Sequence, residues 1–114
     1  MYDRTMTDQA LFILASLAAG ELHGYAIAHE TEELSDGMVR LSAGTLYGAL
    51  ARLCEQGLIA QTREEHVGGR KRRYYALTAD GVRVLQEETA RVRATAEALR
   101  GRVALNSAAQ PDTA

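Results

Sequence analysis

The sequence has very little cysteine and no long hydrophobic run. Cys54 is the single cysteine of the 114-residue chain, which excludes an intramolecular disulfide and leaves too few thiolates for a structural zinc site. No apolar run approaches the roughly 20 residues of a membrane-spanning helix. The opening MYDRTMTDQ is not a signal peptide. We therefore expect one small cytoplasmic domain with no membrane partner.

Acidic and basic side chains are unevenly distributed, although the net charge is only −2. Residues 1–36 hold seven acids and one base, whereas residues 37–78 hold seven bases and three acids. Salt limits electrostatic attraction to about a Debye length, roughly 8 Å at physiological ionic strength. A local basic face therefore matters more for a polyanionic partner than the net charge does, and the middle of the chain is the candidate.

Apolar spacing predicts two helices in the acidic part of the chain. The first begins at residue 7 or 8, carries a wide apolar surface and ends before Gly20. The second runs from residue 23 or 24 to Leu34, with Ile27 and Leu34 facing inward and the glutamates facing solvent. Tyr25 in this helix is expected to be a core aromatic residue whose hydroxyl is satisfied locally.

The stretch SAGTLYGALARL at residues 42–53 has the start signal and the apolar spacing of a third helix. Ser42 can accept hydrogen bonds from the first helical amides, and Gly57 ends the helix. Leucines 46, 50 and 53 recur at helical spacing and predict a buried face. Cys54 shares that face, so we expect a buried small hydrophobic residue rather than a redox sensor. The opposite face carries small and polar residues.

Two alternating runs after Gly57 are separated by HVGG and predict a two-stranded β hairpin with glycines in its turn. The second run follows GGRKRR, which places four consecutive cations, residues 70–73, on the hairpin. Such cations repel one another unless an anionic partner arrives, so nucleic acid is favoured over a protein partner. The three histidines fall on different predicted elements, and neither a metal site nor a cofactor is expected.

A last helix begins after Thr78 and carries an apolar stripe in alternating steps of three and four residues. This stripe extends over about 22 residues, or roughly 33 Å at 1.5 Å per residue. A hairpin cannot bury it, so a facing helix from a second copy is expected. The division expected from these patterns is residues 1–78 for a DNA-binding domain, 79–105 for a dimerisation helix and 106–114 for a disordered tail.

These elements predict a mainly α fold with a small two-stranded hairpin, a winged helix-turn-helix with a C-terminal dimerisation helix. The second helix of a helix-turn-helix pair enters the major groove of DNA, and here that helix is residues 43–56. Its small residues would allow a close approach, and its polar residues could donate to phosphates or base edges. The expected DNA-binding residues are Ser42, Gly44, Thr45, Tyr47, Gly48, Arg52, Gly69, Arg70, Lys71, Arg72 and Arg73. Tyr47 could by its residue type also be a core aromatic residue.

The sequence resembles the PadR-like winged-helix transcriptional regulators, in particular their compact branch. The resemblance covers about residues 8–100 and rests on four blocks: HGYAI at 23–27, SAGTLYGALARL at 42–53, GLI at 57–59 and GGRKRRYYALTADG at 68–81. It implies a homodimer, in most members a repressor, that holds pseudo-palindromic double-stranded DNA through the third helix and the wing. For Tyr47 the resemblance favours DNA contact over a position in the core. It also implies an interface built by the last helix and often the first. The interface residues expected here are Leu11, Leu14, Val82, Leu85, Thr89, Val92, Ala96, Leu99 and Val103.

Two other classes of function are less well supported by the residues. An enzyme would need a nucleophile with a base or paired carboxylates in a pocket, and no residue has such a partner by spacing. A dimeric effector-binding or protein-interaction module without specific DNA binding is the stronger alternative, because the apolar faces of the first and last helices could enclose a small hydrophobic effector. The sequence lacks tryptophan and has a single phenylalanine, so it supplies few side chains to stack on a flat ligand.

Overall fold

The computed structural model of the protein describes residues 6–109, which form four helices and three strands. The strands make one antiparallel sheet in the order β1-β3-β2. None of the described helices has the length and apolar character required to cross a membrane. In chain order the elements are α1 (Asp8–Ser16), β1 (Leu22–His23), α2 (Gly24–Leu34), α3 (Ala43–Glu55), β2 (Ile59–Val67), β3 (Arg70–Leu77) and α4 (Ala79–Ala109).

A side chain caps the start of each helix in the described part of the chain. The acceptor belongs to the residue before the helix, and the donor is the backbone amide three residues later, as in an N-cap. The cap that the sequence predicted at Ser42 is therefore confirmed, and the observed helix starts agree with those predicted at residue 7 or 8 and after Thr78. The four pairs are Thr7 with Ala10, His23 with Ala26, Ser42 with Thr45 and Thr78 with Gly81.

The core lies between α1, α2, α3, the sheet and the first turns of α4. The predicted inner face of α3 is confirmed, because its leucines 46, 50 and 53 are all buried. Leu34, which we expected to face inward, is instead 48% exposed; Thr31 and Ser35 occupy the buried positions at that end of α2. The buried apolar residues are Ile13, Leu14, Leu17, Ile27, Leu46, Ala49, Leu50, Leu53, Leu58, Ile59, Tyr75 and Val84.

The sheet contains one strand more than the predicted hairpin. Strands β2 and β3 pair as expected, with an irregularity between Gln61 and Arg63. The additional strand β1 pairs with β3, with Leu22 opposite Tyr75 and His23 opposite Tyr74. This short pairing fixes the start of α2 beside the wing, which is the β2–β3 hairpin at residues 59–77.

Helix α4 leaves the core after its first turns. Glu88 is the last buried side chain in the described part of this helix, at 3% exposure, and its carboxylate accepts a hydrogen bond from Arg91 at 3.1 Å. Every described side chain from residue 89 to 108 is exposed. The radius of gyration is 18.1 Å, whereas about 13 Å is expected for a compact domain of this length. Most of α4 thus projects beyond the other elements that the structure describes.

The end of α4 differs from the expectation for the tail. The helix continues to Ala109, so residues 106–109 are helical and the disordered tail expected from residue 106 is wrong for them. Residues 110–114, which complete the expected tail, lie outside the described residues.

Candidate nucleic-acid interface

A groove lies between the start of α2, the outer face of α3 and the wing. We call it the basic groove, because four consecutive cations of β3 line one side. Its other sides are lined by the first residues of α2 and by Tyr47 of α3. The lining residues are His23, Gly24, Tyr25, Tyr47, Val67, Arg70, Lys71, Arg72 and Arg73.

The outer face of α3 is accessible in the described structure, as the leucine spacing predicted. Tyr47 is 52% exposed, and Gly48 is half-buried. Ser42, Gly44, Thr45 and Arg52 are also exposed. The hydroxyl of Ser42 donates to Thr45 Oγ1 at 3.0 Å, which orients both side chains at the start of the helix. The residues expected to contact DNA from this helix therefore share an accessible surface.

The wing turns tightly at two glycines. Gly68 and Gly69 have φ angles of 56° and 77°, and Val67 pairs with Arg70 across the turn. Two successive residues with positive φ are the requirement of a two-residue type I′ hairpin turn, which glycine meets at little cost. The turn at Gly68 and Gly69 thus reverses the chain direction, so that residues 70–73 lie along the groove.

Two of the four wing cations are already paired with a carboxylate. Arg73 lies opposite Glu64 across the strands, and its Nε is 3.3 Å from Glu64 Oε1. Lys71 Nζ is 3.9 Å from the other oxygen of the same carboxylate. Glu64 therefore offsets part of the positive charge on this face of the wing.

The other face of the wing has a second network centred on Arg63. Its guanidinium donates to Glu21 at 2.6 Å and to Glu65 at 3.1 Å, and it lies 3.8 Å from the centre of the Tyr74 ring. Hydrogen bonds from Thr62 and Arg63 lower the pKa of Glu21, and hydrogen bonds from Tyr74 and Arg63 lower the pKa of Glu65. The guanidinium of Arg63 is thus ion-paired with two carboxylates of its own chain.

Arg70 and Arg72 differ from the other two wing cations in their distance from carboxylates. Within the described part of the chain, neither arginine forms an ion pair. Arg72 interacts at longer range with Glu65 and with His23. Side chains two residues apart on a strand share a face, so both guanidinium groups lie on the same side of β3.

His23 connects the wing to the start of α2. Its Nδ1 accepts the Ala26 amide at 3.3 Å, and its ring meets Tyr74 edge-on at 5.5 Å. Burial lowers the pKa of His23, as does the charge of Arg72, while Glu65 acts in the opposite direction. The imidazole is therefore held neutral as a cap.

Tyr25 is the main correction to the expected site. We expected it in the core, but it is 79% exposed and lines the basic groove. Ile27, two residues later, takes the inward position at the start of α2 and is fully buried. The ring of Tyr25 lies 6.5 Å from that of His23 at an interplanar angle of 19°.

Most residues expected at a dimer interface are accessible in the single chain. Val82, Thr89, Val92, Ala96, Leu99 and Val103 are exposed along α4, and Leu85 and Leu11 are half-buried. Leu14 is the exception. It has no exposed surface because it belongs to the core of its own chain, so its assignment to the interface is corrected.

Other sites find little support among residues 6–109. No group of three or more His, Cys, Asp or Glu side chains in this range is arranged to hold a metal ion. Cys54 is half-buried, and burial raises the pKa of its thiol, which disfavours the reactive thiolate. A small packed residue, as the sequence predicted, is the role that fits this environment.

The family model for the "Transcriptional regulator PadR-like family" matches residues 13–87, which is more than half of the 114 residues. The chain belongs to the PadR-like family. The resemblance inferred from the four sequence blocks is thereby confirmed. Members of this family are transcriptional regulators and not enzymes, which agrees with the expectation from the sequence.

Individual PadR-like proteins show the same likeness. A transcriptional regulator of Mycobacterium tuberculosis is 42% identical over 78 residues, which are 68% of this chain and 69% of that protein. A PadR family transcription regulator of Clostridium difficile has a TM-score of 0.71 at 26% identity and covers 85% of this chain and 99% of its own. The Bacillus subtilis PadR in complex with operator DNA has a TM-score of 0.60 at 26% identity, covering 68% of this chain and 45% of that one. These structures confirm the winged-helix fold.

Length separates this chain from some other relatives. It spans 22% and 42% of the length of two further curated proteins that it matches.

Proposed function

We propose that this PadR-like chain binds double-stranded operator DNA as a homodimer and represses transcription in the cytoplasm. The observation that carries the proposal is the basic groove, where the exposed face of α3 adjoins Arg70 and Arg72, two wing arginines that form no ion pair with any residue in the range 6–109. A phosphate backbone would supply the missing negative charge. The Bacillus subtilis relative, whose structure contains operator DNA, supports the same use of the fold.

The roles of the groove residues divide between position and readout. Wing cations and the start of α3 would contact phosphates and set the register of the protein on the duplex. Thr45, Tyr47 and Arg52 would reach base edges in the major groove, and the glycines at 44 and 48 would permit close approach. Ser42 and Gly69 would support these contacts by capping α3 and by turning the wing.

The dimer in this proposal is built on the exposed stripe of α4. Val92, Leu99 and Val103 are apolar and exposed over the part of the helix that projects from the core. A second α4 would bury this stripe and would place two recognition helices on the two halves of a pseudo-palindromic site. In the domain division of the proposal, the winged helix ends at residue 78 and α4 is the dimerisation element.

The alternative function is a dimeric effector-binding or protein-interaction module without specific DNA binding. In that case the cations would be a solvated surface, and a small hydrophobic effector would occupy the apolar space beside α4. Within the proposed function the same effector would instead release the DNA by changing the separation of the two winged helices.

Selection of duplexes from a randomised DNA pool separates the two functions. The unmodified chain should enrich an inverted repeat, and Arg52→Ala should weaken binding of the dimer to it by about 30-fold or more, since each of the two subunits loses a bidentate base contact of about 1–3 kcal/mol. Preference at one position of each half-site should relax, while the melting temperature stays nearly unchanged. Arg83→Ala, which removes an exposed arginine of α4, is the matched control and should bind normally. Enrichment of no sequence would favour the alternative function.

A further inference from the structure

Tyr25 combines high exposure with a position beside other aromatic rings. Its side chain is 79% exposed, yet its backbone belongs to the first turn of α2 and its ring lies beside the imidazole of His23. His23 in turn contacts the Tyr74 ring of the wing and caps the helix. A row of three aromatic rings therefore runs from strand β3 to Tyr25.

This row places the Tyr25 side chain among the cations of the basic groove. Tyr25 lines the groove together with Tyr47, Arg70 and Arg72. In helix-turn-helix proteins the helix that precedes the recognition helix crosses the DNA backbone. A phenolic hydroxyl at the start of that helix is a suitable donor to a phosphate oxygen.

We propose that Tyr25 is a further DNA-positioning residue, whose hydroxyl donates a hydrogen bond to a backbone phosphate next to the groove occupied by α3. The proposal rests on the proposed function and adds a contact from α2 to those of α3 and the wing. His23 is a positioning residue in this arrangement, since it holds Tyr25 through the aromatic row and does not itself need to contact DNA.

The chemistry of Tyr25 gives the contact a signature that differs from those of the arginines. A neutral hydroxyl neutralises no phosphate, so it adds affinity without releasing a counterion. Removing it should weaken binding at every salt concentration by the same factor. Because a phosphate contact carries no sequence information, specific and random DNA should be weakened alike.

The test compares Tyr25→Phe with the unmodified chain on the duplex that the unmodified chain selects. Tyr25→Phe should bind about 5- to 150-fold more weakly, since the dimer loses one hydrogen bond of about 0.5–1.5 kcal/mol per subunit, with the same melting temperature and the same slope of log affinity against log salt. Leu34→Ala, a truncation of another exposed side chain at the opposite end of α2, is the control and should bind normally.

Single methylphosphonate substitutions in the duplex locate the contact. At one phosphate per half-site, neutralisation should weaken the unmodified chain by a larger factor than it weakens Tyr25→Phe. The reason is that Tyr25→Phe has already lost the hydrogen bond between the hydroxyl and that phosphate. His23→Asn, which keeps a capping side chain, should weaken the unmodified chain but should cause no further loss in Tyr25→Phe.

Three results would overturn the proposal. Tyr25→Phe could bind as tightly as the unmodified chain, its salt slope could change, or the losses from Tyr25→Phe and from every methylphosphonate could simply add. Failure of the proposed function has a different outcome, because the unmodified chain would then select no duplex at all.

Discussion

The ring of Tyr47 in α3 lies directly against Gly24 in α2. A Cβ atom built on Gly24 would be 2.8 Å from the hydroxyl oxygen of Tyr47 and 3.2 Å from two of its ring carbons. Glycine at position 24 therefore gives Tyr47 the space that it occupies in the basic groove. The neighbour that would have to move is the far end of a side chain and not backbone.

Gly24→Ala should consequently alter DNA binding more than stability. The new methyl group would push the Tyr47 ring aside, which should lower operator affinity while the melting temperature changes little. Gly81→Ala is the contrasting variant, because its Cβ would lie 1.9 Å from the Leu58 carbonyl oxygen. That clash requires backbone movement and should cost about 3 kcal/mol or more of unfolding free energy. Thermal melting of both variants checks this, and equal destabilisation would contradict it.

The cap at His23 predicts a dependence of stability on pH. Since the folded state lowers the pKa of His23 from 6.5, the neutral cap contributes stability above pH 6.5, and this stability is lost as the pH falls through the window below 6.5. His23→Asn can cap without titrating. Its melting temperature should therefore fall less than that of the unmodified chain between about pH 7 and pH 5.5.

The carboxylates of Glu21, Glu64 and Glu65 lose their contributions to stability at a lower pH than His23 does. The pKa values of Glu21, Glu64 and Glu65 are lowered from 4.5, so their contributions are lost only as the pH falls below 4.5. If the melting temperatures of the unmodified chain and of His23→Asn fell by the same amount between about pH 7 and pH 5.5, the result would show that His23 does not cap α2 in its neutral form.

Leu99→Arg tests the dimer proposed on α4. Leu99 is 61% exposed in the single chain and lies in the apolar stripe, where a charge would be buried by a partner helix. The variant should sediment as a monomer and bind operator DNA much more weakly, and the melting temperature of the winged helix should change little. Ala94→Arg is the matched control, because residue 94 lies on the opposite side of α4 and should leave the dimer intact. An unmodified chain that sediments as a monomer at micromolar concentration would refute the dimer.

Features that depend on a few neighbouring residues could be predicted from the sequence. Thr7, Ser42 and Thr78 cap helices by reaching amides three residues away, and the inner face of α3 follows from the leucine spacing. The wing followed from two alternating runs and a pair of glycines. Each of these signals is contained within a short segment of the chain.

Features that depend on distant segments could not be predicted in this way. Strand β1 has two residues, too few to show an alternation, and exists because β3 pairs with it from about 50 residues further on. Tyr25 lines the basic groove beside the wing, which a segment about 50 residues further along the chain forms. An apolar residue such as Leu14 is compatible with a position in the core and with a position at a dimer interface. Only the packing of α1 shows that Leu14 is covered by its own chain. The helical end of α4 is different, because its cause is local and was missed: Ala108 and Ala109 are strong helix formers at the end of the helix.

The salt dependence of DNA binding tests the central claim, that the wing exists to engage phosphates. Arg70 and Arg72 form no ion pairs in the described part of the chain, whereas Lys71 and Arg73 share Glu64. The decisive variant replaces Arg70 and Arg72 together by Gln. Its control replaces Arg100 and Arg102 by Gln, which removes the same charge from exposed positions of α4.

Affinity for the selected duplex should be measured at three salt concentrations for the unmodified chain and both double variants. Each neutralised phosphate contributes about 0.9 to the slope of log affinity against log salt, so loss of two contacts per subunit in a dimer should flatten the slope by roughly 2–4. The wing variant should show this change for specific and random DNA while remaining dimeric, and the α4 variant should retain the full slope. A wing variant whose slope equals that of the unmodified chain would contradict the account.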